Sequence, residues 1–168
     1  LSYCVDAELI KANPLLRWKG LEIRQPEKVV RVVEEDEFQT MLAACDDKSF
    51  RTLLIVAYRE GLRRNELINL RWTAVDFDAS LLHVVNIAAE GEFTKSRKNR
   101  AIPLHPLVKD ALAELYAETP KRIEGGHLVT TIPHVFTWPN GQTYKPDWVT
   151  RTFTALVKKS GIVYCTPH

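Results

Sequence analysis

The sequence predicts a mainly α-helical fold with a small three-stranded antiparallel sheet near its middle. Three observations carry that prediction. Apolar residues recur at helical spacing in several windows before Trp72 and after His105. Between Leu81 and Leu104 that period gives way to short apolar and β-branched runs. Glycine or proline punctuates the changes, at Pro14, Gly61, Gly91, Pro106, Pro146 and Gly161.

Composition sets the outer bounds. The 168 residues are 45% hydrophobic and 26% charged, the mix of a globular protein rather than a disordered chain or a disulfide scaffold. The longest apolar run, Leu53 to Tyr58, is far short of the ~18 residues that a membrane helix needs. Cys4, Cys45 and Cys165 are odd in number and outside any C-x-x-C, and the first residues carry no secretory pattern; together these predict a reduced, cytoplasmic protein. The formal net charge of +2 neither demands nor excludes a nucleic-acid partner, so the distribution of charge has to decide.

Each element has a local reason. Leu1 to Lys11 reads as the tail of a helix, closed by Asn13-Pro14, and residues 15–31 read as a linker. Glu34 to Glu37 precede Phe38, Met41, Leu42 and Cys45, an amphipathic helix with acids in its first turn, where the helix dipole favours them. Ser49 is a candidate cap for a second helix carrying Phe50, Leu53, Leu54 and Ala57, and Gly61 breaks it. Helical spacing restarts from Arg63 to Leu70. The strands expected are Leu81 to Val85, Glu92 to Thr94 and Ala101 to Leu104, with Pro103 at an edge or end because it cannot donate to a ladder. Pro106 opens a helix with Val108, Ala111, Leu112 and Leu115 on one face; a loop containing Gly125-Gly126 follows. A last helix from about Pro146 carries Val149, Phe153 and Leu156 and stops at Gly161.

Two segments carry chemistry. In Gly61-Leu62-Arg63-Arg64-Asn65-Glu66-Leu67 an arginine follows a glycine break at a helix start, where its charge joins free N–H groups as a phosphate clamp; Glu66 lies within reach of it. Thr94-Lys95-Ser96-Arg97-Lys98-Asn99-Arg100 holds four basic residues and no acid, at the expected turn between two strands, where it can track DNA phosphates. Each alone is as readily an ordinary capped helix or a solvated hairpin tip.

Together, in this order, they resemble the catalytic domain of the tyrosine recombinases, the phage-integrase family. That family's pattern is matched by Gly-Leu-Arg-x-x-Glu-Leu, then Thr-Lys-x-x-x-x-Arg-x-Ile-Pro-Leu. Thr166-Pro167-His168 is similar to the opening of its His-x-x-Arg box, and Ala7 to Pro14 resembles the last helix of its core-binding domain. The resemblance implies residues 1–14 as the tail of that helix, 15–31 as linker and 32–168 as a catalytic domain incomplete at its C-terminus. It implies Arg63, Lys95 and His168 as catalytic, Glu66 as supporting, and Arg64, Arg97, Lys98 and Arg100 as DNA contacts. Lys98 is the alternative to Lys95. The family's second arginine and its nucleophilic tyrosine have no match up to residue 168. Tyr164 precedes the box and so reads as a packing or surface residue.

The activity so implied is site-specific DNA recombination through a 3′-phosphotyrosyl intermediate, on double-stranded DNA and by a tetramer in the nucleoid. Type IB topoisomerase-like relaxation, a non-catalytic DNA-binding protein and a protein-interaction module are the alternatives. No cofactor and no metal is implied, and neither a P-loop nor a Cys/His metal pattern is present in the sequence.

Overall fold

A computed structural model describes residues 1–15, 31–85, 99–163 and 165. The chain divides into two compact units, Leu1–Arg31 and Val32–His168. The described part of the first unit holds one short helix, α1 (Ser2–Asp6). It stops before the Lys11 expected from the sequence, because the N–H groups of Leu9 and Ile10 both turn back onto the Cys4 carbonyl and Glu8 adopts φ 57°.

The second unit runs α2 (Glu35–Ala43), α3 (Lys48–Glu60), α4 (Arg64–Ile68), a 3-10 turn (Trp72–Ala74), β1 (Val75–Asp76), β2 (Leu81–Val84), β3 (Arg100–Pro103), α5 (Pro106–Glu118), β4 (Lys121–Glu124), β5 (His127–Thr130) and α6 (Pro146–Ser160). Glu35, Asp36 and Glu37 occupy the first turn of α2 as expected, and Phe38, Met41 and Leu42 are buried, but the helix ends before Cys45. Not foreseen from the sequence, Glu37 reaches back to accept the Glu34 N–H. The cap of α3 is Asp47 and not Ser49; its carboxylate accepts the Phe50 N–H at 2.7 Å. An ionised acceptor also gains from the helix dipole, which decides between two residues that both suit an N-cap.

The sheet has strand order β1-β2-β3, all antiparallel, with Leu82 facing both Val75 and Ile102 and Val84 facing Arg100. Pro103 closes the edge strand β3, where its missing N–H costs nothing. The first strand is Val75–Asp76, which is not among the expected strands because two residues show no period. The expected strand Glu92 to Thr94 lies outside the described residues.

Where a loop was expected after α5, the chain forms a second, two-stranded sheet, β4 against β5. Gly125 and Gly126 sit at φ 57° and 82°, the positive pair that a tight primed hairpin turn requires. The hairpin is mostly exposed, so its side chains never alternate between core and solvent, and the sequence carries no strand period there.

The core gathers Phe38, Phe50, Val56, Leu82, Val108, Leu112 and Phe136, all fully buried. Phe136 and Val135 come from an irregular segment. The Trp72 N–H donates to the Pro133 carbonyl and the Val135 N–H to that of Leu70, which pins this segment beside the exit from α4.

The path into α4 is set by a single turn. Gly61 ends α3 in the left-handed region (φ 61°, ψ 31°), its N–H on the Ala57 carbonyl, and leads the chain directly into Leu62-Arg63. A Cβ there would meet no heavy atom within 4 Å. Gly61→Ala should therefore cost backbone strain alone, about 1–2 kcal/mol, read as a lower urea midpoint with an unchanged slope. Gly61→Asn should cost less, since asparagine tolerates this conformation better. Equal stability of all three proteins would contradict the turn.

Candidate active site

Leu62, 4% exposed, sinks into the core immediately after the Gly61 turn. That fixes Arg63 as the N-cap of α4 with extended backbone (φ −68°, ψ 151°), while buried Leu67 and Ile68 hold the five-residue helix down. The Arg63 side chain emerges half exposed.

Glu66, one turn on, is the centre of the cluster. Its side chain is only 5% exposed, and among the described residues it accepts four hydrogen bonds. Two come from Arg63: its backbone N–H to Oε2 at 2.9 Å and its Nη1 to Oε1 at 3.0 Å. Two come from Arg100 at the start of β3: Nη1 to Oε1 at 3.0 Å and Nη2 to Oε2 at 2.7 Å. A carboxylate offers about four lone-pair positions, so Glu66 is filled. Burial alone would push its carboxyl up, but the hydrogen bonds from Arg100 and from the Arg63 backbone and side chain outweigh that and hold it at about 2. The same pairing raises the Arg100 guanidinium above its ordinary value.

Of the residues the sequence singles out, the structure thus brings together Arg63, Glu66 and Arg100. Arg100, expected to contact DNA, is committed through both terminal nitrogens to Glu66. Arg64 turns the other way: its Nη1 donates to Thr150 Oγ1 on α6 at 2.8 Å and ties α4 to α6. Lys95, Arg97, Lys98, Tyr164 and His168 lie outside the described residues. Sequence reasoning missed the Arg100–Glu66 fork and the Arg64–Thr150 contact, which join positions 34 and 86 residues apart and leave no local signal.

Among the described residues no group of His, Cys, Asp or Glu is placed to hold a metal ion. No helix among them is long and apolar enough to cross a membrane. Chemically, the cluster presents two planar cations around one buried anion, a net single positive charge, with both arginine side chains partly exposed. Such groups match the paired oxygens of a phosphodiester better than an ammonium does.

The model of the phage integrase family matches residues 31–168. The chain belongs to the phage integrase family. Within that family, a tyrosine recombinase of Thermosipho africanus is 30% identical over 165 residues, 96% of this chain and 51% of the relative. The tyrosine recombinase XerC of Xylella fastidiosa (strain 9a5c) is 31% identical over 120 residues, 67% of this chain and 38% of the relative. Among solved structures, the Tn1549 transposon integrase in complex with a circular intermediate DNA superposes with a TM-score of 0.71 at 19% identity, covering 99% of this chain and 59% of that one. The XerA recombinase gives 0.66 at 22% identity, over 85% of this chain and 48% of that one. The integrase-family chain therefore spans about half the length of the curated relatives it matches. Its fold, mostly helical with a small antiparallel sheet, is that of the tyrosine recombinase catalytic domains.

The Glu66 cluster has a pH signature. Its folded value of about 2 lies below the ordinary 4.5, so its contribution to stability is complete above about pH 4.5 and disappears as pH falls through 2. That contribution amounts to at most roughly 3 kcal/mol. Glu66→Gln should be less stable than the parent at pH 7 and should lose less on acidification between these limits, followed by urea denaturation at several pH values. Parallel stability curves for the two proteins would contradict the pairing.

Proposed function

We propose that this chain is the catalytic part of a tyrosine-type site-specific recombinase that cleaves and rejoins double-stranded DNA. In this reading residues 1–14, helical over Ser2–Asp6, are the end of a core-binding domain, 15–31 link it, and 32–168 are the catalytic domain. The observation that carries the proposal is Arg63, half exposed at the foot of α4 and tethered to a buried glutamate, in a chain whose family is that of phage integrases. The matched relatives are named tyrosine recombinases, which favours strand exchange over topoisomerase-like relaxation or simple binding. Solved neighbours bound to DNA, including a lambda integrase dimer on its core site, support duplex DNA as the partner. Assembly as a tetramer on DNA, residence with the nucleoid and a role in phage or mobile-element movement belong to the same proposal.

The chemistry follows from charge. A tyrosine oxygen attacks the phosphorus, a 3′-phosphotyrosyl bond forms, the bond to the 5′-oxygen breaks, and that oxygen leaves as a hydroxyl. In rejoining, a 5′-hydroxyl displaces the tyrosine. The bond energy is kept throughout, so no nucleotide is consumed. The transition state places extra negative charge on the non-bridging oxygens, and Arg63, already fixed, meets it without reorganisation. Lys95 is the proton donor to the leaving 5′-oxygen, and His168 assists that transfer or orients the phosphate. Arg97 and Lys98 are the further DNA contacts in this reading; Arg64 and Arg100, expected from the sequence to share that role, are instead turned to Thr150 and to Glu66.

A full-length protein carrying this chain should form a covalent adduct on a suicide substrate of its own site. The 168-residue polypeptide alone should form none. Arg63→Ala should slow adduct formation by two to three decades, roughly 3–4 kcal/mol. Lys95→Ala should also be slow, but a substrate with sulfur at the bridging 5′ position has a leaving group that needs no proton. That substrate should restore Lys95→Ala and leave Arg63→Ala crippled. Failure to restore Lys95→Ala would move the proton-donor role to Lys98 or His168.

A further inference from the structure

We infer that Arg100 is a positioning residue for Arg63, acting through Glu66, and not an independent phosphate contact. The inference rests on the recombinase reading for its rate measurements, but not for its titration.

With Arg63 as its only partner, Glu66 would behave differently. A buried carboxylate facing one guanidinium draws it into a two-point fork, and the pair is then neutral. An arginine held that way has spent its charge and two of its donors before any phosphate arrives. The structure shows another division. Arg100 takes the fork, with both terminal nitrogens on the two carboxylate oxygens and the shorter of the contacts at 2.7 Å. Arg63 gives the carboxylate only Nη1 from its guanidinium, plus its backbone N–H. With two cations on one anion, the cluster keeps a net positive charge, and Arg63 is the more exposed member, at 51% against 34% for Arg100.

The anchor is also a stiff one. Arg100 opens β3 opposite Val84, and Val84 and Leu82 of the central strand are buried in the core. Glu66 sits on a helix of five residues, too short to hold its own orientation by hydrogen bonds alone. The fork therefore ties the sheet to α4 and sets where the guanidinium of Arg63 stands. Lysine at position 100 keeps the charge but cannot form the fork.

The test uses the full-length protein with Arg100→Lys, Arg63→Ala and the double variant, measuring duplex affinity and single-turnover adduct formation. Arg100→Lys should bind DNA with the parent's affinity and salt dependence, yet form adduct about tenfold to a hundredfold more slowly, the scale of a misplaced catalytic group. On the Arg63→Ala background the same substitution should add almost nothing, because its effect passes through Arg63. Losses that multiply, or a weakened affinity with a flatter salt dependence, would make Arg100 a phosphate contact and overturn the inference. In the same protein, 13C-labelled at glutamate, the Glu66 carboxyl should titrate at about 2 and move toward 4.5 in Arg100→Lys. An unmoved midpoint would also overturn it. If the unaltered protein forms no adduct, the recombinase reading falls and the positioning role falls with it, while the titration still tests the Arg100–Glu66 pairing by itself.

Discussion

A single buried carboxylate organises the functional end of this molecule. Glu66 would be costly inside the protein without compensation, since a buried charge lacking partners forfeits its hydration. Four donors from two arginines satisfy it, and in doing so they join a short helix to a strand that the chain places far away in sequence. Removing either arginine leaves the anion partly unpaired, so the arginines are held in place by the cost of losing them.

The rest of the second unit serves to put that carboxylate where it is. Gly61 makes the abrupt turn that leaves Arg63 at the foot of α4, and Leu62 locks the turn by burial. The Pro133 to Val135 segment fastens the other end of α4 through its backbone hydrogen bonds with Leu70 and Trp72. The Arg64–Thr150 contact adds a tie to α6. With both ends pinned, a helix too short to be stable alone is held rigid by its surroundings, which is the condition for presenting a fixed cation to a developing anion.

The amphipathic helices are legible in the sequence because each buries one stripe: Phe38, Met41 and Leu42 on α2, or Val149, Phe153 and Leu156 on α6. Prolines and glycines mark their ends for conformational reasons, as at Pro106 and Gly161. Arg63 and Glu66 are legible through a motif. The two-residue strand β1 and the exposed β4–β5 hairpin are not, because neither shows an alternation of buried and exposed side chains. Ser49, the cap expected from the sequence, gives way to Asp47 two residues earlier, because both residues share the same capping chemistry. The Arg100 fork is invisible for a deeper reason. It depends on the register of β3 against β2 and on the placement of α4, neither of which is encoded in any local window.

The proposed arrangement, in which Glu66 presents Arg63 to a DNA phosphate while Arg100 holds Glu66, is tested most directly by a crystal structure of the full-length protein on a duplex half-site. The expected result is a guanidinium nitrogen of Arg63 within hydrogen-bond distance of a non-bridging oxygen of the scissile phosphate, with both Arg100 nitrogens still on the Glu66 carboxylate. A scissile phosphate contacted by Arg100 instead, or an Arg63 that touches no phosphate, would contradict it.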